Sequence, residues 1–268
     1  MRIGAVNYLN SKPLVQGLDE LAPQARVWFD LPSRLADALS AGRLDVALVP
    51  SVEWLRQPAM PIVSDACVAC CGPVLSVKLY FRVTPTAVRR LALDEGSRTS
   101  AALALILLEE LAGVTPECAS LPLGAGLHDT KADAVLLIGD RAIQSAEPEC
   151  VETWDLGERW YHWTGLPFVF ALWVARPDAN RTELAEVLTA ARDRGTANLA
   201  EIAAAEAPGL GISTELAVQY LQDNLHFALG DEELRGLRRF AELCGERGLA
   251  PRHAVRALDK LLVYGSTH

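Results

Sequence analysis

The chain has 268 residues, half of them hydrophobic and 22% charged, so it can bury a large core and is not a disordered protein. Its formal net charge of -9 excludes a nucleic-acid partner, because such a partner needs a basic face. We expect a cytoplasmic protein without a membrane partner, since no signal-peptide pattern precedes the first strand and no apolar run approaches the roughly 20 residues that span a bilayer.

The first part of the chain alternates predicted strands, at residues 2–6, 26–30 and 45–49, with helices. Three such units in a row form a parallel sheet through right-handed crossovers. Ligands of such sheets bind beyond the carboxyl ends of the strands, where Asn10 and Ser51 lie. The polar turn that holds Asn10 and Ser11 either caps the helix beginning near Pro13 or binds an anion or a hydroxylated small molecule.

Extended segments are predicted at residues 61–69 and 75–83, joined by a turn, and the second of them alternates. On this pattern alone Ser76 lies on the exposed face of a strand as readily as in a site. A second α/β series follows, with strands at 90–94, 134–138 and 168–174. From residue 177 onward the pattern is helical only.

The sequence SRTS at residues 97–100 precedes a helix that is apolar on nearly all sides and therefore buried. Three hydroxyls and a guanidinium at a helix start suit a carboxylate ligand. The alternative is a plain helix cap, which needs only one of the hydroxyls.

Two α/β series, each followed by a long extended segment, predict an α/β protein with two lobes. We expect lobe one to contain residues 1–83 and 168–268, including the C-terminal helices, and lobe two to contain residues 84–167. The chain would cross between the lobes near 81–85 and near 167–176. This layout places a ligand cleft between the lobes, which a hinge motion can close.

Cysteine and histidine patterns indicate no metal or nucleophile site. Cys67, Cys70 and Cys71 are close in sequence, but no second pair completes a zinc pattern, and their apolar neighbours favour small buried residues. His162 lies among tryptophans and is either a core residue or a residue bordering the cleft. No catalytic serine triad, phosphate-binding loop or dinucleotide motif is present, so the residues alone predict a binder of a small anion.

The segment VNYLNSKPL at residues 6–14 resembles the opening signature of the chorismate dehydratase family, which acts in the futalosine route to menaquinone. Further similar segments follow in the family's order at residues 48–53, 72–77, 97–100, 137–140 and 163–168. The resemblance implies a periplasmic-binding-protein-like type 2 fold, with two lobes, each a mixed sheet flanked by helices, and two crossing strands between them. It also implies a lyase that converts chorismate into 3-[(1-carboxyvinyl)oxy]benzoate with loss of water, without a cofactor or metal.

The resemblance further implies roles for individual residues. Asn10 and Ser76 are expected to be catalytic and to hydrogen-bond the substrate, whose own enolpyruvyl carboxylate would act as the base. Thr99 and Ser100 would receive the ring carboxylate. The other candidate substrate-binding residues are Ser11, which alternatively only caps a helix, Ser51, His162, and Arg98, which alternatively forms an ion pair outside the cleft.

Two other functions stay open at this point. One is the 1,4-dihydroxy-6-naphthoate synthase of the same route, which has a similar fold and would need a catalytic histidine in the cleft. The other is a small-anion-binding protein without chemistry. The sequence does not indicate the oligomeric state.

Overall fold

The computed structural model describes residues 1–144 and 150–265. Within these residues the strands are β1 (Arg2–Ala5), β2 (Arg26–Phe29), β3 (Val46–Pro50), β4 (Ile62–Cys70), β5 (Val77–Phe81), β6 (Arg90–Asp94), β7 (Glu117–Leu121), β8 (Ala134–Ile138), β9 (Glu152–Asp155), β10 (Phe168–Ala175) and β11 (His226–Ala228).

The α-helices are α1 (Leu18–Leu21), α2 (Pro32–Ser40), α3 (Ser51–Arg56), α4 (Arg98–Leu107), α5 (Asp140–Gln144), α6 (Leu156–Thr164), α7 (Arg181–Ala197), α8 (Leu199–Leu210), α9 (Thr214–Gln219), α10 (Asp231–Glu246) and α11 (Ala254–Gly265). Short 3₁₀ helices lie at Leu9–Val15, Pro85–Ala87 and Leu127–Asp129, and π-helical turns at Leu108–Ala112 and Tyr220–Asn224. Among the described residues, every helix is too short or too polar to span a lipid bilayer.

The first sheet has the strand order β11-β4-β10-β3-β1-β2. The predicted parallel pairing is confirmed, since β1 pairs in parallel with both β2 and β3. The sequence of β3, VALVP, is buried along its whole length, as expected for a strand covered on both faces. The returning strand β10 pairs antiparallel with β3 and β4, which makes the sheet mixed.

The second sheet has the order β7-β6-β8-β5-β9 and is also mixed, because β6 is parallel to β7 and β8 whereas β5 is antiparallel to β8 and β9. The position of β5 differs from the sequence prediction, which places residues 75–83 in lobe one and the first crossing near 81–85. Val77 to Phe81 align with Ile138 to Ala134 in the second sheet, so the chain crosses before Val77. Pairing with β8 and β9 explains this difference, because strand alternation does not reveal which sheet a strand joins.

The two sheets and their helices correspond to the two lobes expected from the sequence. We propose that lobe one comprises residues 1–70 and 168–265 and that lobe two comprises residues 77–164. Close backbone packing holds the C-terminal helices against lobe one at two glycines. A Cβ atom at Gly195 would lie 1.9 Å from the carbonyl oxygen of Pro13, and one at Gly236 would lie 2.0 Å from that of Pro167. Helices α7 and α10 therefore support the segments that enter the cleft.

Candidate functional site

A pocket with about 550 Å³ of open space, which includes solvent at its mouth, lies between the two sheets. Lobe one lines it with residues that follow β1 and with residues of β3, β4 and β10, and lobe two lines it mainly with residues that precede β5 or follow β6 and β8. The residues after β1, β6 and β8 agree with a site at strand ends. The lining residues are Val6, Tyr8, Asn10, Ser11, Pro32, Leu48, Pro50, Val68, Val74, Ser76, Val77, Ser97, Thr99, Ser100, Ile138, Gly139, Phe170 and Ala171.

Asn10 and Ser11 lie on the 3₁₀ helix Leu9–Val15 and both line the pocket. Neither residue caps this helix, since its N-cap position is Tyr8, which makes no capping side-chain hydrogen bond. The buried Ser11 hydroxyl donates to Oδ1 of Asn10 over 3.1 Å. Ser11 therefore orients the Asn10 amide, which faces the pocket from a rigid position.

Ser76 lies just before β5, with 1% of its surface exposed, and so does not occupy the exposed face of a strand. The preceding Leu75 has a φ of 58°, an unfavourable value for a residue with a side chain. Asp155 holds this bend, because its carboxylate accepts the backbone N–H groups of Val74 at 2.9 Å and Leu75 at 2.7 Å. The bend turns Ser76 toward the pocket, and its Oγ has no hydrogen-bond partner among the described residues.

Burial raises the pKa of Asp155 above its ordinary value, and the hydrogen bonds from the backbone of Val74, Glu158 and Leu75 lower it. These bonds satisfy an otherwise costly buried carboxylate. Asp155 therefore has a structural role, which is to fix the bend that presents Ser76.

The start of α4 forms the lobe-two wall of the pocket. Ser97 is its N-cap, and its Oγ accepts the backbone N–H of Ser100 over 3.3 Å. No hydrogen bond to the backbone N–H groups of Arg98 and Thr99 is found within the described part of the chain. These two groups and the Ser100 hydroxyl are therefore the donors available to an anion, at the positive end of the helix dipole.

The hydroxyls of Thr99 and Ser51 connect the two lobes. Thr99 Oγ1 accepts the backbone N–H of Val52 over 3.2 Å and lies 3.4 Å from Oγ of Ser51. Ser51 Oγ also donates to the carbonyl of Val169 over 2.7 Å, and Ser51 does not line the pocket. The structure thus places Thr99 in the pocket lining, with its hydroxyl also in contact with lobe one, whereas Ser51, which the sequence predicted with it as a substrate ligand, lies outside the lining.

Arg98 and His162 lie outside the pocket, contrary to their prediction as substrate-binding residues. The Arg98 guanidinium crosses to lobe one, where it contacts Asp37 at 2.9 and 3.0 Å and Glu53 at 3.2 Å. Its hydrogen bonds lower the pKa of Asp37. His162 is exposed on α6, because that helix buries Trp160 and so turns the residue two positions later toward solvent.

Tyr8 and Tyr220 were missed by the sequence analysis as site residues. The Tyr8 ring packs against Gly139, where an added Cβ would lie 3.1 Å from it, and burial raises the Tyr8 pKa to about 12. Tyr220 is fully buried, and its hydroxyl lies beside Ser76 and Asn10. The motif at residues 6–14 could have identified Tyr8, but no sequence signal marks Tyr220.

The pocket contains no charged side chain among its described lining residues. The basic groups on the surrounding elements are paired: Arg98 with Asp37 and Glu53, Arg141 with Asp94, and Lys12 with Glu206. No cluster of histidine, cysteine, aspartate or glutamate that could hold a metal occurs within the described residues. The pocket thus offers hydroxyls, an amide and backbone N–H groups, which can bind a small oxyanion without a counter-charge.

Cys67 and Cys70 are buried in β4, and burial raises the pKa of both thiols, whereas Cys71 is exposed. The interpretation as small core residues is therefore confirmed for Cys67 and Cys70 and is wrong for Cys71.

Comparisons with known proteins identify the family and the fold of the chain. A family described as menaquinone biosynthesis matches residues 1–246. The chorismate dehydratase of Thermus thermophilus is 35% identical over 261 residues, which covers 91% of this chain and 94% of that protein. A solved protein of Archaeoglobus fulgidus has a TM-score of 0.77 at 17% identity, covering 92% of this chain and 97% of that one.

The periplasmic aliphatic sulphonate binding protein of Escherichia coli has a TM-score of 0.63 at 17% identity, with 96% and 90% coverage. These structural similarities confirm the predicted fold, a two-sheet α/β architecture of the periplasmic-binding-protein type.

Proposed function

The chain belongs to the menaquinone biosynthesis family, and we propose that it is a chorismate dehydratase, a lyase that removes water from chorismate to give 3-[(1-carboxyvinyl)oxy]benzoate. The observation that carries this proposal is the pocket between the lobes, which presents neutral hydrogen-bond donors to a small anionic ligand. The 35% identity to a chorismate dehydratase over 91% of the chain supports the choice of substrate.

The chemistry of chorismate requires little of the protein. Loss of one ring proton and the neighbouring hydroxyl converts its cyclohexadiene ring into an aromatic ring, which drives the elimination. The enzyme needs to hold two carboxylates, orient the breaking bonds and exclude water. A protein carboxylate in the pocket would repel the dianion, so neutral donors suit this substrate.

We assign the binding of the enolpyruvyl group to Asn10 and Ser76. The Asn10 amide is held by Ser11, and Ser76 Oγ is buried without a hydrogen-bond partner among the described residues, so both can donate to the enolpyruvyl carboxylate or to the departing hydroxyl. In this mechanism the enolpyruvyl carboxylate of the substrate takes the ring proton, since no described lining residue is a carboxylate, an imidazole or an amine.

We assign the ring carboxylate to the start of α4, where Thr99 and Ser100 line the pocket. The donors there are the Ser100 hydroxyl and the backbone N–H groups of Arg98 and Thr99, which have no hydrogen bond within the described residues. Thr99 and Ser51 then act by holding the lobes together around the substrate. Closure of this kind removes water from the pocket and strengthens each hydrogen bond to the substrate.

The pocket lining also bears on the two alternative functions. The naphthoate synthase alternative requires a catalytic histidine, and no histidine is among the described lining residues. A binding protein without chemistry would hold chorismate and leave it unchanged, so turnover separates it from the dehydratase.

The test is to mix purified protein with chorismate, follow the diene absorbance and identify the product by chromatography. We expect loss of the diene signal and formation of the benzoate product. Asn10→Leu and Ser76→Ala should each lower kcat/KM by at least about tenfold, or roughly 1.4 kcal/mol of transition-state stabilisation, with unchanged circular dichroism. Ser64→Ala, a buried serine of β4 outside the pocket, is the control and should retain its rate.

Tight binding of chorismate without turnover would refute the dehydratase. Rates near wild type for both Asn10→Leu and Ser76→Ala would refute the site assignment while leaving the reaction intact.

A further inference from the structure

Two buried hydroxyls next to the pocket lack hydrogen-bond partners within the described residues, those of Ser76 and Tyr220. Tyr220 is entirely buried and Ser76 is 1% exposed, so bulk solvent does not reach either group. A buried hydroxyl without a partner is costly, and a pair of them at a binding pocket indicates that a ligand completes the network.

The backbone around Tyr220 holds it against the segment that carries Ser76. Tyr220 begins the π-helical turn Tyr220–Asn224, a type of irregularity frequently found at functional sites. At the other end of this turn, Nδ2 of Asn224 donates to the carbonyl of Pro73 over 2.9 Å. The turn and the bend before β5 are thereby fixed relative to each other.

The protonation state of Tyr220 follows from its burial, which raises its pKa, while the neighbouring side chains of Ser76 and Asn10 lower it to a smaller extent. The phenol is therefore neutral at physiological pH and can donate its proton. Ser76 has one proton and two acceptor lone pairs. If it accepts from Tyr220, its own proton is free to point into the pocket.

We propose that Tyr220 is a positioning residue for Ser76: in the occupied pocket its hydroxyl donates to Oγ of Ser76, which in turn donates to a carboxylate or hydroxyl oxygen of the substrate. No bond other than hydrogen bonds changes in this arrangement. The inference rests on the proposed function, because it requires that Ser76 contacts the substrate during turnover.

A double-mutant cycle on chorismate turnover tests the proposal, with Tyr220→Phe, Ser76→Ala and the double variant. We expect Tyr220→Phe to lower kcat by about three- to tenfold, the range of one hydrogen bond, with a smaller change in KM. The double variant should be no slower than Ser76→Ala, because Tyr220 acts only through Ser76. Tyr161→Phe, a tyrosine 38% exposed on α6, is the matched control and should leave both constants unchanged.

The proposal fails if Tyr220→Phe turns over at the wild-type rate, or if the two single effects multiply in the double variant. A check without variants is the structure of the wild-type protein with 3-[(1-carboxyvinyl)oxy]benzoate bound. There, Tyr220 Oη and Ser76 Oγ should lie within about 3.0 Å, and a separation without hydrogen bonding overturns the inference. Wild-type protein that does not convert chorismate would instead refute the proposed function itself, and Tyr220 would lose its assigned role with it.

Discussion

Arg98 provides a test of whether ion pairs across the cleft, and not a cation in the pocket, control the binding of substrate. Its guanidinium extends from lobe two to Asp37 and Glu53 of lobe one. Arg98→Met keeps most of the side-chain length and removes the charge. The backbone N–H of residue 98, which we assign to the ring carboxylate, is unchanged by this substitution.

The expected magnitude follows from the exposure of the three groups. Asp37 is 57% exposed and Arg98 34%, so solvent screens their bidentate pair, whereas Glu53 is 11% exposed and pairs also with Arg56. Partly exposed pairs contribute up to about 1 kcal/mol each, so the two together supply roughly 1 to 1.5 kcal/mol to the closed form. This corresponds to about a five- to twelvefold change in an equilibrium constant.

Steady-state kinetics with chorismate at low and high salt measures this effect. We expect Arg98→Met to raise KM by about fivefold and to change kcat by less than about twofold. High salt should raise the KM of the wild type toward that of the variant, because salt screens exposed ion pairs. The control is Arg238→Met, which loses the same charge from a pair with Asp259 on the neighbouring helix, 2.8 Å away, and should leave KM unchanged.

A larger loss of activity is expected if the Arg98 guanidinium binds the substrate directly. If Arg98 bound a substrate carboxylate inside the pocket, its removal would cost several kcal/mol, as for one partner of a buried ion pair, and kcat/KM would fall by more than about a hundredfold. A loss of that size with little dependence on salt would contradict the placement of Arg98 outside the pocket.

Two further predictions concern the pocket wall formed by Tyr8 and Gly139. Gly139→Ala should lower the melting temperature and kcat/KM, because the φ of 67° disfavours a side chain and the new Cβ would lie 3.1 Å from the Tyr8 ring. Gly165→Ala, at a φ of 69° with open space around it, is the control for the backbone cost alone. An equal loss of activity in Gly165→Ala would contradict the steric argument. The folded-state pKa of Tyr8, about 12, lies above its ordinary value of 10.0, so its contribution to stability is complete below pH 10.0 and is lost as pH rises through about 12. Chemical denaturation across this range should show a steeper decline for the wild type than for Tyr8→Phe, since buried groups such as Tyr220 and Cys67, whose pKa values are also raised, destabilise both proteins at high pH. An equal decline in both proteins would exclude a contribution from Tyr8.

Features set by local chemistry could be predicted from the sequence, whereas features set by pairing between distant segments could not. The buried strand VALVP (β3) and the hydroxyl-rich start of α4 can each be predicted from a few adjacent residues. The pairing of β5 with β8 joins segments about 60 residues apart, and both sheets accept an antiparallel strand, so alternation leaves the choice open. Tyr220 reaches Ser76 only through tertiary packing of a π-helical turn, which no residue pattern marks.

The substrate's own carboxylate is the base in the proposed reaction, and the described lining of the pocket around it is uncharged. An arginine or lysine paired with that carboxylate would stabilise its ionised form and lower its basicity. Hydrogen bonds from Asn10 and Ser76 can orient the same group with a smaller loss of basicity, because each donor is neutral. The nearby cations Arg98, Arg141 and Lys12 are instead held in ion pairs with protein carboxylates. A pocket that keeps its positive charges outside therefore suits substrate-assisted elimination better than one that neutralises the dianion.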